Sequence, residues 1–354
     1  MLLAVAAVTS GCDLGPRDDA AAYGPPLHLL ASYPADGQGT HAPFGSDVTC
    51  DAPTPDCAVP TNVAIELRFD RFLLPGGLNA GLSLFTGNPP ANGVFLDAEY
   101  DMIERVVVYR PARQLQPNTL YTVQLIPSTN PTRGFWAFDR APLEEGTVPL
   151  RFSFSTGSGP RSEPAMPAPP LDTCETMSNG PLRSCVSCHA SKADAQTTPP
   201  SNFPPMGLDL SSERGLYYTA VRHVAHQTET GNTAAGQGLQ SPARFGVQMN
   251  VVDPGSPATS YLMYKLLRKP ENFAAAAEAP SCVTGYHPPV SELDCLPPPE
   301  DERVRLREWF VLGDPMPKDG TSSVGEPILS ATSRENLVRI SAWIATGATC
   351  PEPP

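Results

Sequence analysis

The residues best suited to chemistry are Cys185 and Cys188, with His189 directly after the second thiol, in the sequence Cys185-Val186-Ser187-Cys188-His189. Two thiols three positions apart on one turn can each form a thioether with a haem vinyl group, and the imidazole that follows can ligate the iron. Random placement of nine Cys and six His among 354 residues would give this spacing roughly 0.003–0.004 times per chain. The pattern therefore predicts one covalently attached haem c, with Cys185 and Cys188 as its thioether residues and His189 as the proximal iron ligand.

Two other uses of the cysteine pair remain open. A redox dithiol also has the C-x-x-C spacing, but it does not need the following histidine, and no βαβ pattern surrounds the pair. A zinc site could instead combine Cys185 and Cys188 with His223 and His226, although the two residues between these histidines are fewer than the usual three to five. Haem attachment is therefore the preferred interpretation.

Composition argues against several classes of function. The formal net charge of −13 and the pI near 4.9 disfavour nucleic acid or an anionic membrane surface as a partner, and they suit a basic redox protein. The 43 Pro and 28 Gly predict many turns and few long helices. No apolar run approaches the roughly 18 residues of a membrane-spanning helix. The length of 354 residues suggests two domains.

The N-terminus carries an export signal. Residues Met1 to Val8 are apolar, and small residues then precede Cys12. This arrangement resembles a bacterial lipoprotein signal, which implies that residues 1–12 direct export and that Cys12 is lipidated. Residues 13–26 are polar and rich in Ala and Pro, which predicts a flexible tether. An ordinary cleaved signal with an unpaired Cys12 is the alternative. Either interpretation predicts an exported protein, periplasmic or on the outer surface, and the first adds a membrane anchor.

The remaining cysteines agree with export. Once Cys12, Cys185 and Cys188 are set aside, an even number is left, which an oxidising compartment would pair. Six cysteines allow fifteen connectivities. Proximity in the sequence favours Cys50–Cys57 and Cys282–Cys295, which leaves Cys174–Cys350 as the third disulfide.

Residues 27–157 have the pattern of a β-sandwich. The segments Val63 to Asp70, Leu120 to Ile126 and Val148 to Thr156 alternate larger apolar and mostly polar side chains, as half-buried strands do. Arg105 to Arg110 is a β-branched run, and turn residues such as Pro75-Gly76-Gly77 separate the segments. Several short strands at this spacing predict a β-sandwich.

The order of motifs in this region resembles the bacterial Ig-like domains of exported and surface proteins. The region opens with Tyr33-Pro34-Ala35-Asp36-Gly37, continues through Leu115-Gln116-Pro117-Asn118-Thr119-Leu120-Tyr121-Thr122-Val123, and closes with Phe152-Ser153-Phe154-Ser155-Thr156-Gly157. The resemblance covers most of residues 28–157. It implies an Ig-like domain that acts as a spacer or docking module and has no catalytic residues.

A proline-rich linker over residues 158–172 separates this region from residues 173–354, where helical signals begin. A short helix is predicted over about Glu213 to His226, and Ser256 is predicted as an N-cap before Pro257. Thr332 with Glu335 has the spacing of a capping box for a final helix, which Gly347 would end.

The order of motifs over roughly residues 174–350 resembles the c-type cytochrome domains attached to exported proteins of environmental bacteria. After the C-x-x-C-H motif come Gly207-Leu208-Asp209-Leu210, then Pro254-Gly255-Ser256-Pro257-Ala258-Thr259-Ser260-Tyr261-Leu262, and finally Trp343-Ile344-Ala345-Thr346-Gly347-Ala348. The resemblance implies a mainly α cytochrome c-like domain with one haem. The expected fold class is therefore multidomain, an Ig-like β-sandwich followed by a mainly α domain.

The same resemblance implies that Met316, in Pro315-Met316-Pro317, is the distal iron ligand. A thioether is a soft donor that favours Fe(II), and flanking prolines hold such a segment rigid. The rivals for this position are His223, His226, Met206 and Met249.

Three functions follow from these motifs. The first is electron transfer through one haem c in a membrane-anchored lipoprotein, with a redox protein as partner. The second is a haem enzyme of peroxide or oxygen chemistry with an open sixth position. The third is a surface-binding or structural lipoprotein with zinc at the C-x-x-C pair. Electron transfer is preferred over an enzyme because only one attachment motif is present and a distal ligand is expected.

Overall fold

The structure is a computed structural model that describes residues 24–43, 45, 54–87, 93–127, 133–161, 172–186, 188–190, 207–225, 249–269, 272, 298–309, 311, 316–317, 320–321, 327–328 and 332–350. The predicted tether lies almost wholly outside these residues, as does most of the predicted linker. Cys12, Cys50, Cys282, Cys295 and His226 also lie outside them.

The described strands form three sheets. In chain order the strands are β1 Leu27–Tyr33, β2 Ile65–Phe69, β3 Leu82–Thr86, β4 Leu96–Asp101, β5 Val106–Pro111, β6 Leu120–Leu125, β7 Leu143–Glu144, β8 Arg151–Ser155, β9 Gly320–Thr321 and β10 Pro327–Ile328. One sheet has the order β4-β5-β2-β1-β7, a second has the order β3-β6-β8, and β9 pairs with β10. All pairings are antiparallel except that of β1 with β7.

The two larger sheets bury their apolar side chains in a common core. In β6, Tyr121, Val123 and Leu125 are buried while the residues between them are more exposed, which is the alternation that a strand with one inner face produces. All five residues of β2 are buried, including Glu66 and Arg68, because this strand lies in the middle of its sheet and is covered on both faces.

The described helices are short. They are α1 Cys174–Asn179, α2 Arg183–Val186, α3 Glu213–Thr219, α4 Tyr261–Leu267, α5 Glu300–Trp309 and α6 Arg334–Ala345, with 3₁₀ turns at Leu78–Ala80 and Pro257–Thr259. No helix in the described part of the chain is long and apolar enough to span a membrane.

The predicted fold class, an Ig-like β-sandwich followed by a mainly α cytochrome c-like domain, is wrong. The described chain is mainly β, and its helices are only 4 to 12 residues long. Two physical features explain the difference. Prolines and glycines interrupt the helical stretches, as at Pro257, where the chain forms a 3₁₀ turn before α4. In addition, the apolar side chains of the helices join the core of the sheets, so the second half builds no separate helical core.

The ends of two helices also differ from the prediction. Helix α3 stops at Thr219, well before His226. Helix α6 is capped by Ser333, whose hydroxyl accepts a hydrogen bond from the Asn336 N–H, and not by a capping box on Thr332. Its C-terminus is as predicted: Gly347, with φ of 103°, ends the helix, and the N–H groups of Gly347 and Ala348 donate back to its last carbonyls.

Buried ionic and aromatic contacts join the two halves of the chain. The ring of Phe72 meets that of Tyr264 in α4 with centroids 6.2 Å apart. Arg71 Nη2 lies 2.7 Å from Asp139 Oδ2, and its Nε lies 2.8 Å from Glu302 Oε2 in α5. The second oxygen of Glu302 accepts a hydrogen bond from the Phe72 N–H at 2.9 Å. Because these partners are almost fully buried, the halves are held together from within the core.

We expect Glu302 to make the free energy of unfolding fall as the pH rises from about 4.5 to about 7. Burial raises the pKa of Glu302 to about 7 in the folded protein, against about 4.3 in an unfolded chain. The folded state therefore holds this proton more tightly. The resulting stabilisation is complete at pH values below the pKa of Glu302 in the unfolded chain. It is lost as the pH rises through the pKa of Glu302 in the folded protein.

Chemical denaturation at about pH 5 and about pH 8 measures this contribution. Between these pH values the wild type should lose more stability than Glu302→Gln. The matched control is Glu300→Gln, an exposed carboxylate at the start of the same helix, which should behave as the wild type does. Parallel pH profiles for wild type and Glu302→Gln would contradict the expectation.

A disulfide joins Cys174 to Cys350, the pair that remained after the other cysteines were assigned from the sequence. Next to it, Arg339 of α6 makes a two-pronged contact with Asp172, at 2.7 Å and 3.2 Å from its two carboxylate oxygens. Cys57 is also disulfide-bonded, and its predicted partner Cys50 lies outside the described residues.

Candidate haem-attachment site

The C-x-x-C-H motif lies on one helical turn. Cys185 belongs to α2, and its carbonyl oxygen accepts hydrogen bonds from the N–H of Cys188 at 3.2 Å and from the N–H of His189 at 2.8 Å. The Cys185 N–H in turn donates to the Leu182 carbonyl at 2.8 Å. Both thiols and the imidazole therefore project from a single short turn, which is the arrangement that attachment at two cysteines and ligation by the next histidine require.

The two cysteines differ in exposure. Cys185 is buried in the core, whereas Cys188 is exposed, and neither is in a disulfide. Burial raises the pKa of the Cys185 thiol to about 11, partly offset by a hydrogen bond with Ser184. Cys185 is therefore a protonated thiol at neutral pH. One thiol of the pair lies in the core and the other lies at the protein surface.

His189 is half-buried and is tied through its backbone to the stretch before α3. Its carbonyl oxygen accepts a hydrogen bond from the Leu210 N–H at 2.8 Å. The Asp209 carboxylate beside it accepts from the Ser211 N–H and hydroxyl at 2.9 Å and 2.6 Å. Gly215 packs so closely on Asp209 that a Cβ atom would lie 2.7 Å from its carboxyl carbon. The Gly207–Leu210 motif of the sequence thus supports the turn formed by Cys185 to His189, which is called the attachment turn below.

Met316 is half-buried against the core, and its backbone is held from α4. The Met316 N–H donates to the Lys265 carbonyl at 3.4 Å, and the Met316 carbonyl accepts from Asn272 Nδ2 at 3.1 Å. The following Pro317 carbonyl accepts a hydrogen bond from Lys269 Nζ at 2.8 Å. The Met316 segment is therefore anchored on both sides of the residue.

Hydrogen bonds connect the attachment turn to the Met316 segment. Ser184, next to Cys185, has its hydroxyl 3.5 Å from that of Thr332. The Thr332 N–H donates to Asn272 Oδ1 at 2.7 Å, and the same Asn272 side chain binds the Met316 carbonyl. Hydrogen bonds through Thr332 and Asn272 thus link the turn that carries Cys185 to the backbone of Met316, although more than 120 residues separate the two in the sequence.

The residues that compete with Met316 as candidate distal ligands differ in their exposure. His223 is exposed in the loop after α3, and its carbonyl accepts a hydrogen bond from Val251 at 2.7 Å. Met249 is fully buried. His226 and Met206 lie outside the described residues. Among the residues that the structure describes, no three His, Cys, Asp or Glu side chains come together as a metal site.

Several residues near these elements were not singled out from the sequence. They are Ser184, Lys269 and Asn272, whose importance depends on contacts between distant segments, whereas Thr332 was predicted only as part of a capping box. Trp343, on α6, is also fully buried, and its Nε1–H has no hydrogen-bond partner in the described part of the chain. An unsatisfied buried N–H costs about 1–3 kcal/mol. The thiol pair and the adjacent imidazole fit a haem.

Comparisons with known proteins give no family. No family model matches the chain, and no curated protein matches it. Among solved structures, domains 1–6 of the surface layer protein SbsC are 8% identical over 38% of this chain, with a TM-score of 0.24. The N-terminal part of the bacterial S-layer protein SbsC is also 8% identical over 38% of this chain, with a TM-score of 0.24. The chain spans 14% and 24% of those two proteins, and likenesses this low carry no argument about its function.

Proposed function

We propose that this protein carries one covalent haem c and transfers electrons. The observation that carries the proposal is the single helical turn with two thiols, Cys185 and Cys188, directly followed by His189. In this proposal the cysteines hold the haem by thioether bonds, and His189 and Met316 ligate the iron. The haem itself would supply an iron that cycles between Fe(III) and Fe(II). This proposal requires an attachment turn and a distal ligand, and it does not require a helical cytochrome fold.

The support of the Met316 backbone favours a carrier over an enzyme. A thioether is a weak ligand, so it occupies the iron well only if its segment is already ordered. Lys265, Asn272 and Lys269 bind consecutive backbone groups of Met316 and Pro317 and supply that order. An enzyme of peroxide or oxygen chemistry would instead need an open sixth position.

The visible spectrum of the purified holoprotein tests this assignment. A carrier should be low-spin in both oxidation states and should not change when peroxide is added to the oxidised form. A high-spin oxidised spectrum that responds to peroxide would contradict electron transfer as the function and would support the enzyme.

We further propose that the protein is exported and held at a membrane by a lipidated Cys12. Two observations support export: the apolar run before Cys12, and the disulfides at Cys174–Cys350 and at Cys57, which persist in oxidising compartments. Two or three acyl chains would anchor the protein firmly, whereas one holds only marginally.

We expect the wild-type protein to partition with membranes. The Cys12→Ser variant should either be released from the membrane or keep its signal segment uncleaved. Cell fractionation and mass spectrometry of the N-terminal peptide measure this, because lipidation adds acyl mass to Cys12. An unmodified N-terminus at another residue, together with all of the protein in the soluble fraction, would contradict the lipoprotein assignment and leave an ordinary cleaved signal.

A basic redox protein is the partner that the charge favours. The net charge of −13 gives attraction to a cationic surface, and such attraction speeds association at low ionic strength. Electron exchange with a basic partner should therefore slow as salt is added.

A further inference from the structure

We infer that Asn272 is a positioning residue whose side-chain amide holds the Met316 segment in place for iron ligation. This inference rests on the proposed function, in which Met316 is the distal ligand. It assigns a role to a residue that neither contacts the attachment motif directly nor belongs to a sequence motif.

The side chain of Asn272 is fully buried and binds three different segments. Its Nδ2 donates to the Leu266 carbonyl at the end of α4 at 2.8 Å and to the Met316 carbonyl at 3.1 Å. Its Oδ1 accepts from the Thr332 N–H, just before α6, at 2.7 Å. Both amide N–H donors and the amide oxygen are thus engaged, so this side chain fixes α4, the Met316 segment and the start of α6 relative to one another.

A second buried side chain reinforces the hold on the Met316 segment. Lys269 Nζ donates to the Pro317 carbonyl at 2.8 Å, and the Asn272 N–H donates to the Lys269 carbonyl at 3.1 Å. Two successive carbonyls of the Met316 segment are therefore bound by side chains from one turn. Such binding fixes the backbone of Met316 before any ligand bond forms, and this reduces the entropy lost when the sulfur binds the iron.

The same side chain also fixes the position of this segment relative to the attachment turn. Thr332, which donates its N–H to Asn272, has its hydroxyl 3.5 Å from that of Ser184, the neighbour of Cys185. Loss of the Asn272 amide would therefore loosen Met316 from both α4 and the turn that carries the haem. The expected consequence is easier displacement of the Met316 sulfur by an added ligand.

The experiment compares wild type, Asn272→Ala and Asn250→Ala as holoproteins. Asn250 is the matched control, because its half-buried amide donates at 3.2 Å to Asp253, three residues along the chain. Imidazole, which competes for the sixth position, is titrated into the oxidised protein. Asn272→Ala should bind it about tenfold more tightly than the wild type, as expected when a buried hydrogen bond to the segment is lost. The iron–sulfur charge-transfer band should weaken in parallel.

The imidazole affinities of the three proteins distinguish a positioning role of Asn272 from its absence. Tighter imidazole binding in Asn272→Ala, with Asn250→Ala unchanged, supports the inference. Equal imidazole affinity in all three proteins, or an equal shift in both variants, would overturn it. If Asn272→Ala does not accumulate, Asn272→Asp answers the same question, because it keeps the acceptor for Thr332 and removes the two N–H donors. If the wild type lost its haem to acidified solvent, the proposed function would fail. Unchanged affinity with covalent haem would remove this inference alone.

Discussion

Replacement of Met316 with alanine is expected to convert a low-spin haem into a high-spin or water-ligated one that reacts with small ligands. Replacement of Met316 with histidine should keep the iron low-spin but lower its midpoint potential, because imidazole stabilises Fe(III) better than a thioether does. Optical spectra and a redox titration of the two variants measure both effects. The backbone contacts of Met316 with Lys265 and Asn272 do not depend on its side chain, so the segment should keep its position in either variant.

The exposed rival ligand provides the control for this result. His223→Ala should leave the spectrum and the potential as they are in the wild type, since His223 is not expected to reach the iron. If both Met316 variants had the wild-type spectrum and His223→Ala or a His226 variant lost low-spin character, the distal ligand would be a histidine. Covalent attachment at Cys185 and Cys188 would be unaffected by that outcome.

Removal of the Cys174–Cys350 disulfide is expected to cost about 5 kcal/mol of stability, from the chain-entropy model applied to a loop closed over 176 positions. The bond joins the first residue of α1 to a residue just beyond α6, so it closes the part of the chain that carries the attachment turn. The double variant Cys174→Ala/Cys350→Ala, studied by urea denaturation alongside the wild type, measures the effect without reducing the disulfide at Cys57.

A small loss of stability in the double cysteine variant would contradict this prediction. Arg339 and Asp172 bridge the same two ends of the chain. If the double cysteine variant lost less than about 1 kcal/mol, these ends would already be held together in the unfolded or reduced chain, and the entropic account of this disulfide would be wrong.

Elements with strong local periodicity could be predicted from the sequence. The alternation in Val63 to Asp70 and in Leu120 to Ile126 predicted β2 and β6 to within a few residues. The final helix predicted before Gly347 is α6, and Gly347 ends it as predicted. In each case the signal lies within one turn or one strand. The alternation in β2 predicted the strand but not its burial, because both faces of this central strand are covered.

Features that depend on distant contacts could not be predicted. Arg71 and Glu302 are 231 positions apart, and nothing near either residue indicates that they share one buried site. Asn272 has no motif around it, yet it binds Leu266, Met316 and Thr332. The error in fold class has the same origin: the helical signals after residue 173 are real but brief, and their apolar faces pack on the core of the sheets.

The measurement that most directly tests the central claim is the mass of the denatured protein after expression in a host that attaches haem c. Wild-type polypeptide treated with acidified organic solvent should keep its haem and have the mass of the chain plus one haem. Cys185→Ala/Cys188→Ala should have the mass of the bare chain. If the wild type released all its haem, or never carried it and held zinc at Cys185 and Cys188, the assignment of a covalent haem c would be contradicted.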